Sequence, residues 1–196
     1  MSIKRRDFLK TAAGSSLALA AGVRPGLAVA KEQRLSPEAV GILYDANLCI
    51  GCQACMTACK KANDMPVEPG SLENTWDRPL DLSASTLNII KMYDGGEKPA
   101  FVKRHCMHCL EPACVTACPV SALVKDPRTG VVAYDKKACI GCRYCQIVCP
   151  YNVPKFEWDD PFPQIRKCQF CDHLFDQGPY SACCESCPTG ASLFGP

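Results

Sequence analysis

Residues 138–154 read "ACIGCRYCQIVCPYNVP". Cys139, Cys142, Cys145 and Cys149 fall within eleven residues, and Pro150 follows at once. Four thiols this close call either for a shared inorganic ligand or for oxidation to disulfides, and the rest of the chain decides between the two.

Working outward, the same arrangement recurs. A first group comprises Cys49, Cys52, Cys55 and Cys59, and a second Cys106, Cys109, Cys114 and Cys118. The opening stretch is the third group, and Cys168, Cys171, Cys183 and Cys187 form a fourth. The first and third groups are copies: "YDANLCIGCQACMTAC" starts at Tyr44 and "YDKKACIGCRYCQIVC" at Tyr134, ninety residues apart without a gap. The second and fourth end alike, in "CPVSAL" and "CPTGAS". The chain is therefore an internal repeat of two ferredoxin-like modules, each using two cysteine groups.

Three chemistries compete for these thiols. Structural zinc uses two well-separated C-x2-C pairs, whereas here three thiols crowd into seven residues twice over. Disulfides need defined separations and directions that such dense, reiterated spacing supplies poorly. The run C-x2-C-x2-C-x3-C-P is the bacterial [4Fe–4S] pattern, and the third group matches it residue for residue. In that pattern three cysteines hold one cluster and the fourth reaches another, so sixteen thiols serve four clusters. Seventeen cysteines are present. Of the neighbours Cys183 and Cys184, only Cys183 keeps the C-x3-C spacing to Cys187, so Cys184 is expected to be a small buried residue.

The N-terminus sets the compartment. "KRRDFLK" (4–10) precedes a short Ala/Gly/Leu-rich run and ends in Ala28-Val29-Ala30, the layout of a cleaved export signal. Arg5-Arg6 before Phe8-Leu9-Lys10 matches a twin-arginine signal, a route that carries folded, cofactor-loaded proteins. Periplasmic localisation is the expectation. Without residues 1–30, whose net charge is +4, the chain goes from +2 to about −2, which is no nucleic-acid profile. Beyond residue 31 no apolar run approaches the roughly 18–20 residues of a membrane span, so any membrane association comes through partners.

Local structure follows from the punctuation. "VVAYD" (131–135) alternates like a strand, and "STLNIIKMYDGGEKPAFVKRH" predicts a hairpin of Leu87–Tyr93 with Ala100–His105 about Gly95-Gly96. Before it, residues 60–85 are loop-like. Gly51 and Gly141 stand where a side chain would crowd a cluster. A helical turn is expected between the third and fourth cysteines of each group, stopped by Pro119, Pro150 or Pro188; the first group has Lys60 instead.

Among other residues, Lys60, Lys61, Lys103, Arg104, Arg143, Arg166 and Lys167 lie close to the cysteines, where they either offset cluster charge or form ordinary surface. His105 and His108 are not expected as ligands once sixteen cysteines are placed. Trp76, Trp158 and Tyr151 read as packing residues. No nucleophile–base pair or phosphate loop stands out, so the chain reads as an electron carrier and not as a catalyst.

With these motifs on the page, the chain resembles the four-cluster ferredoxin-like (beta) subunits of bacterial respiratory oxidoreductases. Within them it is most similar to the exported iron–sulfur subunit of hydrogenase-2-type [NiFe] hydrogenases, through "GILYDANLCIGCQAC", "CMHCLEPACVTACPVSALVKDPRTGVVAYDK" and "CRYCQIVCPYNVPKF". The resemblance implies an α+β fold: two ferredoxin-like modules of short strands and helices wrapped around four [4Fe–4S] clusters. It implies four ligand sets: Cys49, Cys52, Cys55 with Cys187; Cys168, Cys171, Cys183 with Cys59; Cys106, Cys109, Cys114 with Cys149; and Cys139, Cys142, Cys145 with Cys118. The expected organisation is a signal peptide over 1–30, an outer module from 41–60 and 160–196, an insertion loop and hairpin over 61–99, and an inner module over 100–159. The implied function is electron relay between a [NiFe] hydrogenase catalytic dimer (its small and large subunits) and an integral membrane quinone-reacting subunit. The alternatives are the same relay for a molybdopterin or nitrite-reducing enzyme, and an exported interaction protein stabilised by zinc or disulfides. Relatives of this kind continue past the fourth group into an extension with a membrane anchor. This sequence stops at Pro196, so the expectation is either truncation or docking without an anchor of its own.

Overall fold

Strands here are short and come in pairs. A computed structural model describes residues 36–67, 79–177 and 180–196; the expected signal peptide, Trp76 and part of the insertion loop lie outside them. Among the described residues, eight strands form four antiparallel two-stranded ladders. β1 (Gly41–Tyr44) pairs with β8 (Ser192–Gly195), joining the two ends of this region. β2 (Ile89–Tyr93) pairs with β3 (Ala100–Arg104), β4 (Leu123–Lys125) with β5 (Val132–Tyr134), and β6 (Lys155–Phe156) with β7 (Ile165–Arg166). The β2–β3 hairpin is the one expected, two residues shorter at its start and one at its end. The module boundaries read from the sequence, 99/100 and 159/160, both fall in hairpin loops, so backbone ladders cross them.

A helix begins one residue before each third cysteine and contains it: α1 (Ala54–Ala62), α2 (Ala113–Thr116), α3 (Tyr144–Val148) and α4 (Ala182–Glu185), with a 3-10 turn at Asp172–Gln177. Their lengths obey the proline rule. Proline lacks an N–H and drives the residue before it into extended backbone. α2, α3 and α4 stop short of Pro119, Pro150 and Pro188, and Cys149 is extended at φ −74°, ψ 115°. α1, with Lys60 in the proline position, runs three residues past Cys59. No described helix is long and apolar enough to cross a membrane.

The repeat is written in the backbone. Gln53 and Arg143, ninety positions apart, both take left-handed φ (59° and 64°) just before α1 and α3, and Gly51 and Gly141 both lie near +70°. The helices then pack crosswise, α1 on α4 and α2 on α3. Two apolar cores result. One gathers Met56, Leu87, Ile89, Ile90 and Phe101, and the other Leu123, Val132 and Ile165; cysteines belong to both.

One expectation changes. The crowding shown at the two glycines comes from the protein itself. A Cβ at Gly51 would lie 2.3 Å from the Phe101 ring, and one at Gly141 would lie 2.5 Å from the Pro163 carbonyl oxygen. Positive φ and tight packing together explain these glycines.

Candidate iron–sulfur sites

The loop, turn and helix of each repeat bring its first three thiols round to one side, and the crosswise helix packing delivers the fourth from another group. Two sites are outlined as cavities. One is walled by Cys49, Cys52, Cys55 and Cys187 with Tyr44 and Lys103. The other is walled by Cys118, Cys139, Cys142 and Cys145 with Tyr134 and Ile165. We call these the first and fourth sets.

One of the other two sets is closed more tightly, with Cys59, Cys171 and Cys183 all buried. Burial pushes the Cys59 thiol up to about 12, and the nearby Cys183 and Cys171 push it the same way. Cys168 is raised well above the ordinary thiol range by burial and by Cys106, Cys59 and Cys183. Cys59, Cys168, Cys171 and Cys183 are thus mutual neighbours, the second set. Burial also raises Cys114, with Cys106, Cys149 and Cys109 adding to it. These four form the third set. In each case a thiol sheltered from water resists ionising alone, and bound iron supplies the positive charge that stabilises the thiolate.

The sets are strung in a line. Cys55, raised by burial to about 11, also feels Cys183, which links the first set to the second. Cys168 and Cys106 link the second to the third. Cys145, raised to about 11 by burial and then by Cys114, links the fourth to the third.

Do the residues fit iron–sulfur clusters? All seventeen cysteines are free. Among the described residues, no three His, Cys, Asp or Glu side chains converge closely enough for a single metal ion. Thiols spread round a volume suit a polyatomic cluster better than one zinc. Backbone donors also aim at the sulfurs: Ala122 N–H to Cys118 Sγ at 3.2 Å, Gly141 to Cys139 and Phe170 to Cys168, both at 3.4 Å. Such donors stabilise thiolate charge.

Cys183 and Cys184 are told apart by their partners. Cys184, Lys103 and Ser181 all direct hydrogen-bonding groups at the Cys183 sulfur, holding its thiol below the ordinary range even though burial opposes this. Cys184 is pushed up by the same pairing and by burial, and its sulfur contacts the Ser192 hydroxyl at 3.3 Å. The geometry favours Cys183 as the thiolate and Cys184 as the buried spectator.

Of the basic residues singled out in sequence, Lys60, Lys103 and Lys167 are buried and Lys61 is exposed. Arg104 ties Asp81 at 2.8 Å, Arg166 pairs with Glu157 at 3.7 Å, and Arg143 lies over the Phe156 and Trp158 rings. Trp158 and Tyr151 are exposed, so neither is a core residue, although Trp158 packs edge-on against Phe156.

Two roles escaped sequence reasoning. Lys125 donates to the His108 and Cys109 carbonyls, both at 2.9 Å. His108 accepts the Val132 N–H at Nδ1, 2.9 Å away. With Gln169 receiving the Tyr134 N–H at 2.7 Å and Lys167 donating to the Val132 carbonyl, side chains cap the free edge of β5 where a third strand would otherwise stand. The strand alternation of "AFVKR" was the available signal for Lys103, which shares the buried face of Phe101. Lys125 has no comparable signal.

Comparison with known proteins agrees with this geometry. A family described as "4Fe-4S dicluster domain" matches residues 98–196, and a second of the same description matches 41–119. The chain is 43% identical over 208 residues to the hydrogenase-2 operon protein HybA of Escherichia coli O157:H7, covering 98% of this chain and 62% of that protein. It is 34% identical over 200 residues to the nitrate-inducible formate dehydrogenase iron-sulfur subunit of Escherichia coli (strain K12), covering 100% and 64%. The formate dehydrogenase iron-sulfur subunit of Haemophilus influenzae is 31% identical, with 98% and 60% covered. The chain thus spans about three fifths of the length of these relatives. The matches bear out the resemblance carried by the cysteine spacing.

Proposed function

Because the chain belongs to the 4Fe-4S dicluster domain family and carries four [4Fe–4S] clusters, we propose that it is the electron-relay subunit of a respiratory oxidoreductase, catalysing no reaction itself. The observation that carries this is the line of four thiol sets, each close enough to act electrostatically on the next. When bound, such clusters supply one-electron exchange. The residues do the rest. Sixteen cysteines fix the positions: Cys49, Cys52, Cys55 and Cys187; Cys59, Cys168, Cys171 and Cys183; Cys106, Cys109, Cys114 and Cys149; Cys118, Cys139, Cys142 and Cys145. The short strands and helices wrap these sites and bury most of the second.

The higher identity to the hydrogenase-2 operon protein than to the formate dehydrogenase subunits supports a [NiFe] hydrogenase as catalytic partner, with a membrane quinone-reacting subunit at the other end of the line. The Arg5-Arg6 signal supports a periplasmic site of action, reached by the twin-arginine route. Anaerobic purification with partners attached, followed by metal analysis, tests both levels. Iron above about sixteen per chain together with nickel is expected. Molybdenum in place of nickel would move the relay to a molybdoenzyme, and zinc without iron would overturn the relay itself. Changing Arg5 and Arg6 to lysine is expected to leave the loaded protein in the cytoplasm; unchanged export would remove the periplasmic assignment.

A further inference from the structure

Lys103 and Lys167 are 9% and 3% exposed, yet neither joins the salt bridges formed among the described residues. Lysine is seldom so buried unless a negative charge answers it. Lys103 reaches in from β3 and donates to Cys183 Sγ at 3.3 Å and to Ser192 Oγ at 2.8 Å. It also lines the cavity of the first set beside Cys55. Its ammonium therefore stands at the junction of the first and second sets. Lys167 donates to the Cys168 carbonyl at 3.0 Å and is the cation that acts on Cys106 and Cys114 of the third set. Lys125 adds a second charge there, through the Cys109 carbonyl.

The fourth set differs. The cation lining its cavity is Arg143, which is exposed and held 5.1 and 5.0 Å from the Phe156 and Trp158 ring centroids. Solvent screens a charge so placed far more than one in the interior.

An added electron makes a cluster more negative, so a fixed cation in a low-dielectric interior favours the reduced state. We propose that Lys103 and Lys167 raise the potentials of the first three sites and leave the site of Cys118, Cys139, Cys142 and Cys145 the lowest of the four. The line is thereby biased: electrons enter at the fourth site and run toward the lysines. This rests on the ligand sets of the proposed function.

The experiment is an EPR-monitored redox titration of the anaerobically purified complex, with iron counted in every sample. Removing one ligand of the fourth set (Cys142→Ala) is expected to abolish the lowest-potential signal. Lys103→Met and Lys167→Met are each expected to shift higher signals downward while the lowest stays in place, and Lys103→Arg, which keeps the charge, should restore most of the Lys103→Met shift. Loss of a higher-potential signal in Cys142→Ala would overturn the proposal. So would unmoved signals in both lysine variants, or a lowest signal that moves as far as the rest. Should a methionine variant lose iron, the Arg variant and Cys142→Ala still decide. A wild-type protein with fewer than four clusters would instead fail the ligand sets on which the proposal stands.

Discussion

His108 and Phe170 stack face to face, ring centroids 3.7 Å apart and planes 26° from parallel. They are equivalent residues, each the last before the second cysteine of a C-x2-C pair, and both take positive φ (43° and 57°). The two halves of the repeat therefore meet through matched side chains.

That contact should matter more to retention of the clusters than to their chemistry. Phe170 is 4% exposed, and Phe→Ala in such a setting costs about 3–5 kcal/mol. His108→Phe keeps the stack but orphans the Val132 N–H, a loss of about 1–3 kcal/mol. Bleaching of the visible absorption at a fixed temperature, measured anaerobically, should be fastest in Phe170→Ala, intermediate in His108→Phe and slowest in wild type.

Glycines with similar φ should differ in tolerance. Gly190 has φ +67° with nothing within 4 Å of a Cβ, so Gly190→Ala should cost only the left-handed penalty of about 1–2 kcal/mol. Gly141→Ala adds a 2.5 Å clash with a backbone oxygen and disturbs the N–H that serves Cys139. Iron per chain should stay at the wild-type value in the first and fall in the second.

Cys184→Ala should keep the full iron complement, whereas Cys183→Ala should lose about one cluster, or four irons. Equal loss in the two would show that both sulfurs are needed. Iron analysis with EPR spin counting reads the difference.

Asp81 ties β3 to β6, through Arg104 at 2.8 Å and Lys155 at 3.3 Å. Its own burial raises the carboxyl, but the Leu82 N–H and the two cations outweigh that and hold it below its usual 3.8. A carboxylate lowered on folding stabilises the protein above the unfolded value and loses that contribution as pH falls through the folded one. The pair is half exposed, so the contribution is under about 1 kcal/mol. Asp81→Asn should bleach slightly faster than wild type at pH 7, and the gap should close as pH drops below 3.8.

Much of this was legible in the sequence because cysteine spacing is a direct record of ligand geometry, and the ninety-residue repeat announced the two halves. Proline positions foretold where α2, α3 and α4 stop, since that constraint is local. What the buried lysines face was not legible. A lysine beside a cysteine looks the same in sequence whether it faces water or sulfur, and only packing from a distant segment, as β8 packs over Lys103, decides. The edge of β5 was equally hidden, because its caps, His108, Lys167 and Gln169, come from other groups.

The pairing of β1 with β8 has a consequence for how the protein is made. Residue 41 cannot find its partner until residue 195 has left the ribosome, and the first two thiol sets likewise draw on residues 49–59 and 168–187. The third and fourth sets close within residues 106–149. Assembly during synthesis is therefore nested, the inner pair able to mature while the outer pair waits for residues 168–195. Ribosome-stalled chains exposing only the first 160 residues should already bind iron at two sites, while Cys49 and Cys52 remain open to thiol-labelling reagents.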